Sequence, residues 1–204
     1  MARTIAKDHE EKRLAILRKA AAFFSENGFD RSSMNQLATA CGVSKALIYH
    51  YYDSKDALLF DIVFTHLGDL LASVRAVEGR SDDPEANLRA IVRTILLVYR
   101  DADAQHQLQT DAMSSLPESE RAALVDIQRQ LVAIVAEALR AVTPAVFEAS
   151  PEKLRPATMA LFGMLNWFYM WHRPGRGLSR EDYADLVTDL VLRGVHGLGA
   201  SGGR

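Results

Sequence analysis

Cysteine is almost absent from this sequence, with a single residue, Cys41, in 204. One thiol can neither close an internal disulfide nor assemble a thiolate metal site, so Cys41 reads as a small buried apolar side chain. The opening MARTIAKDHEEKR lacks the apolar run of a secretion signal. The apolar stretch at 157–171 is shorter than a bilayer span and carries Asn166, so a cytoplasmic address without a membrane partner is expected. Strand-like alternation, internal repeats and low-complexity segments are missing too, apart from the glycine-rich tail 199–204. Their absence leaves an all-α architecture.

Strong charge of one sign is also lacking. The net charge is −2, with +2 over residues 1–58 (nine Lys and Arg against seven Asp and Glu) and −4 over the rest (fifteen against nineteen). This balance argues neither for nor against nucleic acid, so any such case rests on local geometry. The catalytic inventory is equally thin. His9, His50, His66, His106, His172 and His196 form no zinc-ligand spacing, no glycine-rich phosphate loop occurs, and no nucleophile stands beside an evident base. An enzyme, a metal site and a cofactor are therefore not expected.

What the chain has is helical periodicity. Hydrophobic residues make up 49% and charged residues 25%, enough for one domain of ordinary size plus a small one. Over 10–26, Leu14, Leu17, Ala20, Ala21 and Phe24 recur at three and four, and Asn27-Gly28 stops the helix. Ser33 with Gln36 fits a capping box for a second, short helix that ends at Gly42. Ser44 caps a third helix to about Tyr52, and Ser54 a fourth over 55–78. Asp83-Pro84 begins a helix predicted over 84–111, followed by helices over 117–142, 151–172 and 180–198.

Between Met34 and Tyr52 the pattern suits two short helices crossing steeply. Ala38 is small enough for close approach, Gly42 can take a positive φ at the turn, and Val43 fills the space between. The helix after that turn points Lys45, Ala46, Tyr49 and His50 outward, while Ile48 and Tyr52 turn inward. A DNA major groove accepts such a face. Ser44 and Lys45 can reach phosphates or base edges, and Tyr49 and Lys55 backbone phosphates. The amides near Ser33 and Ser54 add anion sites. Residues 2–7 form either a minor-groove arm or a frayed end.

The stretch CGVSKALIYHYYDSKDALL resembles the signature of the TetR/AcrR repressor family, and the preceding FFSENGFDRSSMNQLATA is similar to that family's first two helices. Gly42-Val43-Ser44, Tyr49, Tyr52 and Ser54-Lys55 carry the resemblance. Ala46, Leu47 and Tyr52 depart from common residues at their positions, so base preference is not transferable, and the Tyr52 hydroxyl needs a partner. The resemblance implies a helix-turn-helix domain at 1–58 and a helical effector-binding and dimerisation domain at 59–204. It implies a homodimer, a near-palindromic double-stranded operator, and a ligand-responsive repressor.

By the same resemblance the last two helices pair with their symmetry mates. Phe162, Leu165, Tyr169, Leu186 and Leu190 are the dimerisation candidates, with Tyr183, Val187 and Val191 on the same apolar faces. Trp167, Phe168, Tyr169 and Trp171 surround most of one helix and cannot all serve one interface; cavity lining, core and dimer packing all stay open. LFGMLNWFYMWHRPGRGLS is similar to the C-terminal region of members sensing acyl- or aryl-coenzyme A thioesters. That likeness implies an effector site with Asn166, Trp167, Trp171, Arg173 and Arg176. For His172, Arg173 and Arg176 a solvated loop or an ion pair is an equal alternative. Tyr99, His106 and Gln109 are further lining candidates. A second reading keeps the DNA-binding half and replaces the metabolite by a protein partner.

Overall fold

The structure is a computed structural model that describes residues 2–173 and 175–198, with side chains described from residue 9 onward. The side chains of the expected arm at 2–7 and the tail at 199–204 lie outside the described residues. The described chain is all-α: α1 (Ala2–Asn27), α2 (Met34–Cys41), α3 (Lys45–Tyr51), α4 (Lys55–Arg75), α5 (Pro84–Val98), α6 (Asp103–Asp111), α7 (Glu118–Val142), α8 (Pro144–Ala149), α9 (Leu154–Asn166), α10 (Phe168–Trp171) and α11 (Arg180–Leu198). Two single 3-10 turns, Met113–Ser115 and Pro151–Lys153, precede α7 and α9.

The chain divides into two compact units. One holds Met1–Gly68 and Ala102–Val125, the other Asp69–Asp101 and Asp126–Arg204. The boundary expected between 58 and 59 falls inside α4, and α6 packs on α1 within the first unit. Leu17, Ala20, Ala21 and Phe24 of α1, Leu37 of α2, Ile48 of α3 and Leu58, Leu59, Ile62 and Val63 of α4 form the interior of that unit. Each is at most 5% exposed. Fully burying a leucine- or phenylalanine-sized side chain stabilises by roughly 1.5–3 kcal/mol, so helices as short as α2 and α3 hold through this packing. α4 is long and apolar enough, by length and composition, to cross a bilayer, more so than 157–171, yet half of its most apolar window is buried inside the protein.

In the second unit α5 lies against α11 and α9. Leu88, Ile91, Val92 and Ile95 are fully buried, spaced at three and four along one stripe of α5. Arg89 reaches Asp189 at 2.6 Å and Asp185 at 3.4 Å, and Arg100 pairs with Glu181, so polar contacts flank the apolar seam.

Three features depart from the sequence reading. The helix expected over 84–111 breaks into α5 and α6, because Asp101 adopts φ 62, the left-handed region that ends a helix. The helix expected over 151–172 is interrupted twice, by the 3-10 turn at its start and at Trp167 between α9 and α10. α8, entered through Thr143-Pro144 with proline in its first turn, is a helix the periodicity missed.

Candidate nucleic-acid interface

α2 begins at Ser33, whose backbone is extended (φ −118°, ψ 155°). Its hydroxyl accepts from the Gln36 amide at 3.3 Å, and the Gln36 side-chain oxygen accepts from the Ser33 amide at 2.9 Å, closing the capping box. At the other end Gly42 takes φ 68° and the Val43 amide donates to the Ala38 carbonyl at 3.0 Å. A side chain at Gly42 would meet nothing within 4 Å, so the positive φ is what asks for glycine there. Ser44 then caps α3, accepting from the Leu47 amide at 3.1 Å.

α3 buries one side. Ile48 is fully buried and Tyr52, just past the helix, is 7% exposed. Ser44, Lys45, Ala46, Tyr49 and His50 are exposed on the other side, as is Ser33. The Lys45 ammonium lies 5.4 Å from the centre of the Tyr49 ring, a loose cation–π arrangement that leaves its donors to solvent. His9 on α1 packs its ring on Tyr51 at 4.6 Å and reaches within 6.4 Å of His50, so the end of α3 is tied to α1. Nothing local in the sequence signals this long-range stacking.

The Tyr52 hydroxyl finds its partner in Asp61 of α4, donating to Oδ2 at 2.6 Å. Arg13 of α1 reaches the same oxygen at 2.5 Å, and Thr65 donates to Oδ1 at 3.2 Å. Burial, reinforced by the Asp61 carboxylate, raises the Tyr52 phenol above its ordinary value. Hydrogen bonding to Glu10 and then Asp61 keeps Arg13 firmly charged. The sequence shows the Tyr52 hydroxyl that needs a partner but not that Asp61 and Arg13 supply it.

Lys55 departs from its expected position. Its ammonium donates to the carbonyls of Phe29 at 2.8 Å, Ser32 at 3.1 Å and Asp30 at 3.4 Å. An ammonium has three protons. All three face carbonyls of the turn between α1 and α2, so Lys55 offers no donor to a phosphate in this structure.

The other expected residues scatter. In the second unit Tyr99 is 4% exposed, and its hydroxyl donates to Asn166 Oδ1 at 3.0 Å; burial raises its phenol. His106 is buried in the first unit, its ring 6.2 Å from that of His66 on α4. Burial, and to a lesser degree His106, lowers His66 to about 4. Trp167 and Trp171 are more than half exposed, and Arg173 and Arg176 are exposed on a tight turn where they bridge each other. Phe168, not Trp167 or Trp171, is the aromatic that fills the interior, stacked on His172 at 4.4 Å and Tyr183 at 4.6 Å. Three clefts of about 380, 470 and 470 Å³ open along α5 and at the end of α1, lined by other residues than these seven candidates.

Of the dimerisation candidates, Phe162 and Leu165 are interior residues, 7% and 1% exposed, because the side of α9 that carries them packs inward. Tyr169 is half-buried. Leu186 and Leu190 are exposed at 43% and 56%, and Met159 of α9, unmarked by the periodicity, is exposed at 49%.

Two short capped helices with a left-handed glycine between them, the second outward-facing, define a helix-turn-helix DNA-binding protein. Comparison with known proteins agrees. The signature of bacterial regulatory proteins of the tetR family matches residues 16–62, and that of the tetracyclin repressor-like C-terminal domain matches residues 81–195. The chain is 35% identical to a TetR-family transcriptional regulator from Bordetella parapertussis of known structure (TM-score 0.84, covering 90% of this chain and 95% of that one). It is 26% identical to the HTH-type transcriptional repressor KstR2 of Rhodococcus jostii over 90% of this chain and 91% of that protein. It is also 26% identical to AibR, solved in complex with isovaleryl coenzyme A and operator DNA (TM-score 0.72, covering 87% and 96%). The chain belongs to the TetR family of DNA-binding transcriptional regulators.

Proposed function

We propose that the protein is a homodimeric, cytoplasmic repressor that leaves a near-palindromic operator when a small-molecule effector binds. The observation that carries the DNA-binding half is the outward face of α3: Ser44, Lys45, Ala46, Tyr49 and His50 are exposed while Ile48, on the opposite side, is fully buried. In this reading Lys45 reads base edges, while Tyr49, Ser44 and Ser33 hold phosphates. A two-fold dimer sets two such helices about 34–36 Å apart, on successive major grooves. Leu186 and Leu190 of α11 with Met159 of α9 supply the apolar surface for the partner subunit.

The effector is proposed to be an acyl- or aryl-coenzyme A thioester, supported by the likeness to AibR, whose complex contains isovaleryl coenzyme A. The second compact unit, 69–101 with 126–204, is proposed to hold the effector. Tyr99 and Asn166, already hydrogen-bonded to each other, offer polar groups to the acyl part; His106, buried in the first unit, is not among them. Exposed Trp167, Trp171, Arg173 and Arg176 offer rings and charge to the nucleotide end. Release follows if the ligand favours a conformation with wrongly spaced recognition helices; a coupling of roughly 1–3 kcal/mol lowers operator affinity about 5- to 150-fold. A thermal-shift and gel-shift panel of coenzyme A thioesters tests this. A thioester that raises the melting temperature and releases DNA is the expected result, and no response to any thioester removes the assignment. The double variant Trp171→Ala, Arg173→Ala should keep DNA binding and lose that response; loss of DNA binding would make both residues structural.

A further inference from the structure

The turn between α1 and α2 is built around one cation. Gly28 ends α1 with φ 79°, its amide donating to Phe24 at 2.9 Å. The Ser32 hydroxyl closes onto the Gly28 carbonyl at 2.7 Å, and the Ser32 amide onto that of Phe29 at 3.1 Å. This folding turns the carbonyls of Phe29, Asp30 and Ser32 toward one point, which the Lys55 ammonium occupies. The Phe29 ring lies beneath it at 4.3 Å and is itself packed on Phe24. Three convergent carbonyls and an aromatic face complete the coordination of a primary ammonium.

One of those carbonyls has a consequence for the DNA-facing surface. The Ser32 carbonyl belongs to the same peptide as the Ser33 amide, and that amide is held from the other side by Gln36 Oε1 at 2.9 Å. The Ser32–Ser33 peptide is therefore fixed at both its oxygen and its nitrogen. Ser33, the residue that starts α2, has its backbone set by Lys55 from α4 and by Gln36 from α2.

We infer that Lys55 is a positioning residue that locks the Ser32–Ser33 peptide, and so the DNA-facing start of α2, without itself touching phosphate. The inference rests on the DNA-binding reading above. It reassigns the lysine from an intermolecular contact to an intramolecular one, and it explains why a charged side chain is spent inside a turn.

Two measurements test it. In the first, the full-length wild-type chain is treated with a limiting amount of an N-hydroxysuccinimide acetate, and acetylation of Lys55 and Lys45 is followed by mass spectrometry. A caged ammonium must give up its hydrogen bonds to react, so Lys55 is expected to modify about tenfold more slowly than Lys45 or slower still. Equal rates would overturn the cage.

In the second, a duplex recovered from a randomised pool by the wild-type chain is titrated over a range of salt concentrations. Lys55→Met should weaken binding about tenfold or more while leaving the slope of log affinity against log salt unchanged, since the contact disturbed is that of the uncharged Ser33 and no charge is withdrawn from a phosphate. Lys55→Arg keeps the charge, but its planar fork does not fit three convergent carbonyls, so it should bind as weakly as the methionine variant. In a Ser33→Ala background the loss from Lys55→Met should shrink, because both changes act through one contact. A slope lower by about 0.9, recovery by arginine, or full additivity with Ser33→Ala would each overturn the inference. The acetylation rates need no DNA and no variant that might misfold. Failure of the DNA-binding reading would instead appear as a wild-type chain that selects no duplex while Lys55 stays protected.

Discussion

Tyr52 illustrates what a single residue discloses and what it withholds. Its hydroxyl, at a position where the family resemblance leads one to expect phenylalanine, demands a partner, and that demand is legible in the sequence. The partner is not, because Asp61 lies nine residues on in another helix and Arg13 in a third. Replacing Tyr52 by phenylalanine removes a hydrogen bond to a part-buried carboxylate and should cost about 1.5–3 kcal/mol of stability, read from urea unfolding. Lys55 follows the same pattern. The lysine after Ser54 was identifiable, whereas its three carbonyl partners depend on how the turn at 28–33 folds back. On the exposed side of α3 little was hidden, because one buried isoleucine fixes the helix phase and hence the faces of Lys45, Tyr49 and His50. Lys45→Ala should broaden the sequences recovered in a binding-site selection; an unchanged preference would remove Lys45 from base recognition.

Helices announce themselves by caps and periodicity, and a cap fixes where a helix begins better than periodicity fixes where it ends: α5 starts at Pro84 behind Asp83 as expected but stops at Val98. The Ser33 and Ser44 caps bound α2 and α3, and α11 runs over the residues its periodicity marks. α3 has only seven residues, so its cap matters more than usual. Ser44→Ala should cost roughly 1 kcal/mol, measured by chemical denaturation. The break at Asp101 was hard to read because an aspartate does not by itself announce a left-handed φ, and the break at Trp167 because the apolar residues of 161–171 continue through it. The pairing of His66 with His106 across α4 and α6 was equally silent. It has a pH consequence. His66 titrates near 4 in the folded chain and near its ordinary 6.5 unfolded. Between those values the unfolded chain binds the extra proton, so stability is full above about 6.5 and falls as pH drops toward 4, by up to about 1.4 kcal/mol per pH unit. Unfolding of the wild type and of His66→Asn, followed from pH 7 to 4, should differ in slope by up to one proton. Parallel curves would mean that His66 does not govern it.

At the scale of the molecule, the proposed function assigns two exposed surfaces to something outside the chain. One is the polar face of α3; the other is the apolar surface of α9 and α11, where Leu186, Leu190 and Met159 stand 43–56% exposed. Periodicity marks α9 and α11 as amphipathic but does not separate their inner faces from their outer ones, so Phe162 and Leu165, dimerisation candidates by resemblance, lie in the interior while Met159 lies outside. Charge placed in the outer face by Leu190→Glu should shift the sedimentation coefficient to that of a monomer and abolish cooperative operator binding while leaving the helical circular dichroism signal intact. Operator binding as proposed requires two recognition helices acting together. Hydroxyl-radical footprinting of the full chain on its selected duplex measures this directly. It should reveal two protected patches related by two-fold symmetry, centred about 10–10.5 base pairs apart. A single patch, or uniform protection independent of sequence, would contradict it.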